Sequence, residues 1–226
     1  RKALAYLPAG TVLRARMYLE IKPATNSFVF SADGLPPGIF LYVDPTITAE
    51  QFANTVAHEL HHIGYNAACR DPEGLPPPML AAVRWLGGFG EGLAMLAAAG
   101  GPDIHPQAVS PDSVRHRWDR DMAGAGEAMP ELERFFGRIL DGRLVGDDSI
   151  ARAAGPFYGV QGPFYTVGWL MWSSIERVSG RARVVELECD LRRFPRSYND
   201  AAARLNAGGA HLPLWTPAFV ARFDQP

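Results

Sequence analysis

Much that would mark a function at sight is missing from these 226 residues. Charge of one sign is missing: 22 basic and 24 acidic residues, interspersed along the chain, leave a net charge of −2 and no electrostatic footprint for nucleic acid. Long apolar runs are missing as well. The longest, Leu93 to Ala99, falls far short of the roughly 20 residues a membrane helix needs, so no transmembrane segment is expected. Only two cysteines occur, Cys69 and Cys189. They can pair or stay free, neither sits in a nucleophile motif, and two thiols do not decide a compartment. There is no G-x-S-x-G elbow, and Gly87-Gly88-Phe89-Gly90 lacks the lysine and hydroxyl residue of a phosphate loop. No internal repeat stands out. A starting methionine and a signal peptide are absent too: the chain opens at Arg1, and Ala3 to Pro8 reads like the tail of a helix begun earlier. We read it as a trimmed or mature piece whose targeting segment has been removed, with export among the options.

What is present is a 47% hydrophobic composition, enough to bury a core in one domain or two closely packed lobes, and one motif that carries chemistry. His58-Glu59-Leu60-His61-His62 reads H-E-x-x-H. On a helix, positions four apart share a face one turn up. His58 and His62 can then hold one metal ion, and Glu59 can reach a water beside it, the signature of a zinc hydrolase. The helix itself is predicted by a T-x-x-Q capping box at Thr48 and Gln51 and by the apolar stripe Phe52, Val56, Leu60, Ile63, with Gly64 as its stop. His61 points away from the other two and reads as a supporting or surface histidine.

A catalytic zinc usually takes three protein ligands and keeps a position for water. A metzincin would place a histidine six residues after His62, where Ala68 stands, so that family is excluded. The remaining candidates are Asp71, Glu73, Glu91, Asp103, His105, Asp112 and His116. Glu91 is preferred because it opens the apolar helical run of Gly90-Glu91-Gly92-Leu93-Ala94, where it serves either the helix dipole or a metal.

Around the motif, the first part of the chain is β-rich. Strands are expected over Thr11 to Ile21, Ser27 to Phe30 and Ile39 to Val43, with turns at Asp33-Gly34, Pro36-Pro37-Gly38 and Asp44-Pro45. After Met79 the pattern is helical, over roughly 79 to 99, 111 to 122, 130 to 141, 164 to 179, 181 to 192, 197 to 206 and 216 to 223. Breaks are expected at Gly100-Gly101-Pro102, Gly124-Ala125-Gly126, Gly155-Pro156, Gly180 and Gly208-Gly209, with a mobile loop over Ala123 to Ala128. The expected class is α+β: a small N-terminal sheet and the metal helix, then a mainly helical part.

His58-Glu59-x-x-His62 followed by Glu91-Gly92-x-Ala94 resembles the gluzincin pattern. With Thr25-Asn26-Ser27-Phe28, the Ile39-to-Asp44 strand and Tyr165-x-x-Gly168, most of the chain is similar to a little-characterised group of bacterial zinc-dependent peptidases. The resemblance implies a zincin-like fold in a single catalytic domain, 1–226, of two lobes, 1–78 and 79–226. It implies zinc on His58, His62 and Glu91, Glu59 as general base, a peptide or protein as substrate, and the Ile39-to-Val43 strand near the rim where an extended peptide adds a strand. The 28 residues between His62 and Glu91 exceed the spacing of the thermolysin and aminopeptidase branches, with Leu75-Pro76-Pro77-Pro78 to take up the length. Tyr165, at the start of a helix with Gly168 one turn on, is the expected donor to the oxyanion, with His116, His211 and Tyr158 as substitutes. The alternative for Tyr165 is packing among Phe157, Trp169 and Trp172. An amidase or other non-peptide zinc hydrolase would share the motif, as would a non-catalytic zinc-bearing binding domain.

Overall fold

A 3-10 turn, Ala3–Tyr6, and then three strands open the structure, a computed structural model that describes residues 1–20, 27–30, 36–42 and 46–224. Strand β1 spans Arg16–Glu20, β2 Phe28–Phe30 and β3 Gly38–Tyr42, in the order β1-β3-β2. β3 runs parallel to β1 and antiparallel to β2. Side chains alternate across a sheet. Ile39 and Leu41 therefore turn inward and are buried with Ile63 from the helix that carries the H-E-x-x-H motif, while Leu13, Val29, Phe52, Val56 and Leu60 close around them. The other face carries a ladder of rings, Tyr18 on Phe40 and Phe28 on Phe40, with centroids 4.8 and 5.0 Å apart. Gly38 lies beneath them: a Cβ there would stand 3.0 Å from the Tyr18 ring.

Two strand expectations change. β1 begins at Arg16, not Thr11, because Leu13 leaves the sheet direction to pack on the helix. β3 is the central strand with both hydrogen-bonding edges taken, so the Ile39 segment is a core strand and no peptide can add to it directly. Thr25, Asn26, Asp33-Gly34, Val43 and Asp44-Pro45 lie outside the described residues.

Helix α1, Ala49–Ala68, starts at the expected capping box: the Thr48 hydroxyl accepts from the Gln51 N–H at 3.2 Å, and the Thr48 N–H donates to Gln51 Oε1 at 2.9 Å. It does not stop at Gly64. A side chain there would overlap Leu7, whose Cδ1 lies 2.1 Å from an ideal Cβ, so the glycine admits the N-terminal arm against the helix.

Nine helices follow among the described residues, and with the small sheet they make the α+β architecture. They are α2 Pro77–Leu86, α3 Gly90–Ala99, α4 Asp112–Ala123, α5 Ala125–Leu140, α6 Asp147–Tyr158, α7 Pro163–Ser179, α8 Arg181–Glu188, α9 Phe194–Ala207 and α10 Pro217–Phe223. The expected helix over 79–99 is split by a 3-10 turn at Gly87–Phe89, where the Phe164 ring sits within 2.7 Å of the place a Gly88 Cβ would take. The expected loop over Ala123 to Ala128 is helical apart from Gly124, because Ala125 and Met129 are buried and continue the apolar face of α5. Helix α6 runs through the expected break at Gly155-Pro156. Its Ile150, Ala154 and Phe157 recur at helical spacing and are buried, and Asp147 and Asp148 favour its N-terminus.

The glycines of α3 and α7 set the crossing that matters most. A Cβ on Gly92 would stand 2.0 Å from the Trp169 amide nitrogen and 2.2 Å from the Gly168 carbonyl carbon. Across the same contact the Trp172 indole donates to the Phe89 carbonyl at 3.0 Å. Gly92→Ala must push the two backbones apart, a cost of about 3 kcal/mol or more. Thermal unfolding should fall by roughly 6 °C or more for a chain of this size. An unchanged melting temperature would contradict the contact.

Candidate metal centre

The centre is built from one turn of α1 and the first turn of α3. His58 and His62 sit one turn apart on the α1 face opposite its sheet-packing stripe, and Glu91 is the second residue of α3. Three atoms converge: His58 Nε2 and His62 Nε2 are 3.1 Å apart, and each lies 3.2 Å from Glu91 Oε2. All three side chains are partly exposed, at 14%, 24% and 18%.

Two imidazoles aiming the same nitrogen at each other and at one carboxylate oxygen satisfy one another poorly by hydrogen bonds alone, since a neutral ring has one donor. A cation resolves the conflict. Three donors with edges of 3.1 to 3.2 Å are three corners of a tetrahedron. Its centre would lie about 1.9 to 2.0 Å from each, close to the 2.0 to 2.2 Å of zinc bonds to nitrogen and oxygen. The donor set, two histidines and one carboxylate with a fourth direction open, fits zinc in a catalytic rather than a closed structural site.

Electrostatics follow the same geometry. Burial alone would raise the Glu91 carboxyl, but hydrogen bonds and charge from His58 and His62 hold it well below the usual carboxylate range. For His62, burial opposes the charged form, and the hydrogen bond and charge of Glu91, with the charge of Glu59, outweigh it and raise its pKa. Glu59 is 7% exposed, and burial raises its carboxyl, aided by Glu91 and opposed by the two histidines.

Tyr165, in the first turn of α7, does not join the aromatic core. Its ring stacks on His58 with centroids 6.3 Å apart and planes within 8°. Its hydroxyl is raised first by burial, then by the charge and hydrogen bond of Glu91. Phe157 and Trp172 are core residues, and Trp169 faces Trp118 at 6.2 Å. The crossing at Gly92 and Gly168 brings the start of α7 beside the start of α3, and with it Tyr165 to Glu91. Tyr158, at the end of α6, feels the same carboxylate, its hydroxyl pushed up to about 12 by burial and by Glu91. The other candidates lie elsewhere. Asp71 pairs with Arg84, Asp103 with Arg177, Asp112 with Arg115 and His105 with Asp119, while Glu73, His116 and His211 are exposed.

Two features beside the centre were left open by the sequence, which allowed a supporting or a surface role for His61 and a paired or a free state for the two cysteines. His61 is buried, not at the surface, and its Nε2 stands 3.4 Å from Glu188 Oε2, each side chain 1% exposed. Burial raises the Glu188 carboxyl and lowers the His61 imidazole, so each is held toward its neutral form. One residue on, Cys189 is bonded to Cys69 at the C-terminal cap of α1. The bridge fastens α1 to the end of α8, beside the buried His61 and Glu188. Nothing local in the sequence announces a contact between residues 61 and 188.

No curated protein and no solved structure matches the chain. One family does, over residues 1–207, which include both arms of the centre, the Tyr165 helix and the disulfide: the chain belongs to the family described as "Putative zinc dependent peptidase (DUF5700)".

Proposed function

We propose that the chain is a zinc metallopeptidase of gluzincin type, a single catalytic domain whose lobes, 1–78 and 79–226, each bring one arm of the metal site. The observation that carries this reading is the triangle of His58 Nε2, His62 Nε2 and Glu91 Oε2, with Glu59 buried beside it. His58, His62 and Glu91 hold the metal. Zinc, when bound, supplies a Lewis acid that acidifies a water and polarises a scissile carbonyl.

The rest of the chemistry belongs to the chain. Glu59 follows the first ligand on α1 and is kept from bulk water, so its carboxylate takes the proton of the attacking water. Burial favours that uptake, because it stabilises the neutral carboxyl, and the carboxyl then returns the proton to the leaving amine. Tyr165 keeps its proton, because burial and Glu91 oppose its ionisation, and its hydroxyl donates to the oxygen that gains charge. Its stacking on His58 fixes the ring, so the donor is oriented before substrate arrives.

Tyr165→Phe is the test of that last role. Removing one oxyanion donor should lower kcat on the order of 10²-fold while zinc content and melting temperature stay at wild-type values. A variant with normal kcat and reduced stability would place Tyr165 in packing instead.

A further inference from the structure

A cleft of about 450 Å³ opens from His58 between α1, α3 and the segment leading into α4. Among the described residues that line it none is a carboxylate, a lysine or an arginine. Ile47, Met95 and Val109 give it an apolar side, and its polar lining includes Gln51 and Asn54 on α1 and, from other segments, Gln107 and Gln161.

The Gln107 carboxamide is held on one side, and both carboxamides have capacity left over. Gln107 is 5% exposed, and its Oε1 accepts from the Ser110 hydroxyl at 2.6 Å, which leaves its N–H groups unpaired among the described residues. Its backbone is fixed as well. The Gln107 N–H donates to His105 Nδ1 at 3.0 Å, so the His105 proton sits on Nε2 and points to Asp119 Oδ1, also at 3.0 Å. Gln161 lies in the tight connection between α6 and α7 at φ +60°, a conformation that side chains other than glycine seldom adopt. Its Oε1 is buried without a donor. A buried acceptor without a partner costs about 1 to 3 kcal/mol, and such an atom beside a cleft calls for a ligand. One spare donor and one spare acceptor match the two polar groups of a peptide unit.

Resting on the metallopeptidase reading above, we propose that this cleft takes an extended, uncharged stretch of substrate. Gln107 donates to a main-chain carbonyl of that stretch, Gln161 accepts from a main-chain N–H, and an apolar side chain packs on Ile47, Met95 and Val109. Neither glutamine touches the scissile bond; they are positioning residues that set which peptide unit lies over the metal.

The test uses full-length, zinc-loaded Glu59→Gln protein, so that binding is read without turnover. The probes are fluorescently labelled, acetylated and amidated hexapeptides with Leu, Asp or Lys at each inner position, and ester analogues in which one main-chain N–H at a time is replaced by oxygen. Binding is measured by anisotropy. The peptides with Leu should bind tightest, and Gln107→Ala or Gln161→Ala should each weaken binding by about 3- to 10-fold, as for one neutral hydrogen bond. One ester position should weaken binding equally in the parent and have no effect in Gln161→Ala. That comparison needs no assumption about how well the variants fold. Ester analogues that all bind like the amides, or an ester effect that persists unchanged in Gln161→Ala, would overturn the clamp. Failure of the peptidase reading looks different. Protein with Glu59 intact would then leave the same peptides uncut, while the glutamine-dependent binding stood. If it cuts them and the glutamine variants keep full affinity and KM, the clamp falls and the peptidase remains.

Discussion

Glu59→Gln is expected to retain its zinc and to lose on the order of 10³-fold or more in kcat. The amide preserves the volume and the hydrogen-bonding reach of the carboxylate but cannot take a proton from water. Glu59 is not one of the three converging donors, so the metal site is left intact. A structural role predicts another pattern. Burial disfavours the ionised carboxyl of Glu59, and a neutral amide would stabilise the fold at neutral pH or leave it unchanged. Steady-state rates on a cleaved peptide, with zinc measured on the same sample, separate the two. A variant that turned over within about tenfold of wild type would remove Glu59 from the chemistry.

The second large effect is on stability. The bond between Cys69 and Cys189 closes 120 residues of sequence, joining the end of α1 to the end of α8. In the chain-entropy view a loop of that length is worth about 5 kcal/mol, and losses of native bridges run from about 2 to 5 kcal/mol. Cys69→Ser with Cys189→Ser should therefore lower the urea midpoint sharply, and reduction of the wild type should do the same. The site should suffer with the fold, because the bridge lies beside the buried His61 and Glu188 pair. Zinc affinity is expected to drop in the double variant, and an unchanged urea midpoint would show that packing alone holds α1 to α8. A bridge of this kind is kept only in an oxidising setting.

The helix of the centre was legible because its signals are local. Thr48 and Gln51 cap it, Phe52, Val56, Leu60 and Ile63 mark the buried stripe, and the spacing of His58 and His62 does the rest. Glu91 was legible because a carboxylate leading an apolar helix is rarely idle. Tyr165 came from a glycine one turn on, and the structure gives the physical reason: Gly168 meets Gly92 where α7 crosses α3. Gly64 misled, since a glycine that ends one helix admits a neighbour in another, and only Leu7 tells the two apart. The loop expected over 123–128 failed for a related reason. Small residues suggest mobility by composition, yet Ala125 is 3% exposed and packed. What no reading of the sequence supplied was the long-range part: His61 against Glu188, and Gln107 and Gln161 along one cleft. Those contacts depend on how α3 lies between α1 and α7 and on the bridge from α1 to the end of α8, and periodicity carries no such information.

Zinc content tests the central claim most directly. Wild-type protein, His62→Ala and Glu91→Ala are each loaded with zinc, dialysed against a weak chelator and analysed for metal, with folding checked by circular dichroism. Wild type should hold about one zinc per chain and the two variants close to none, because a site of three ligands cannot spare one. Full occupancy in folded His62→Ala would contradict the account.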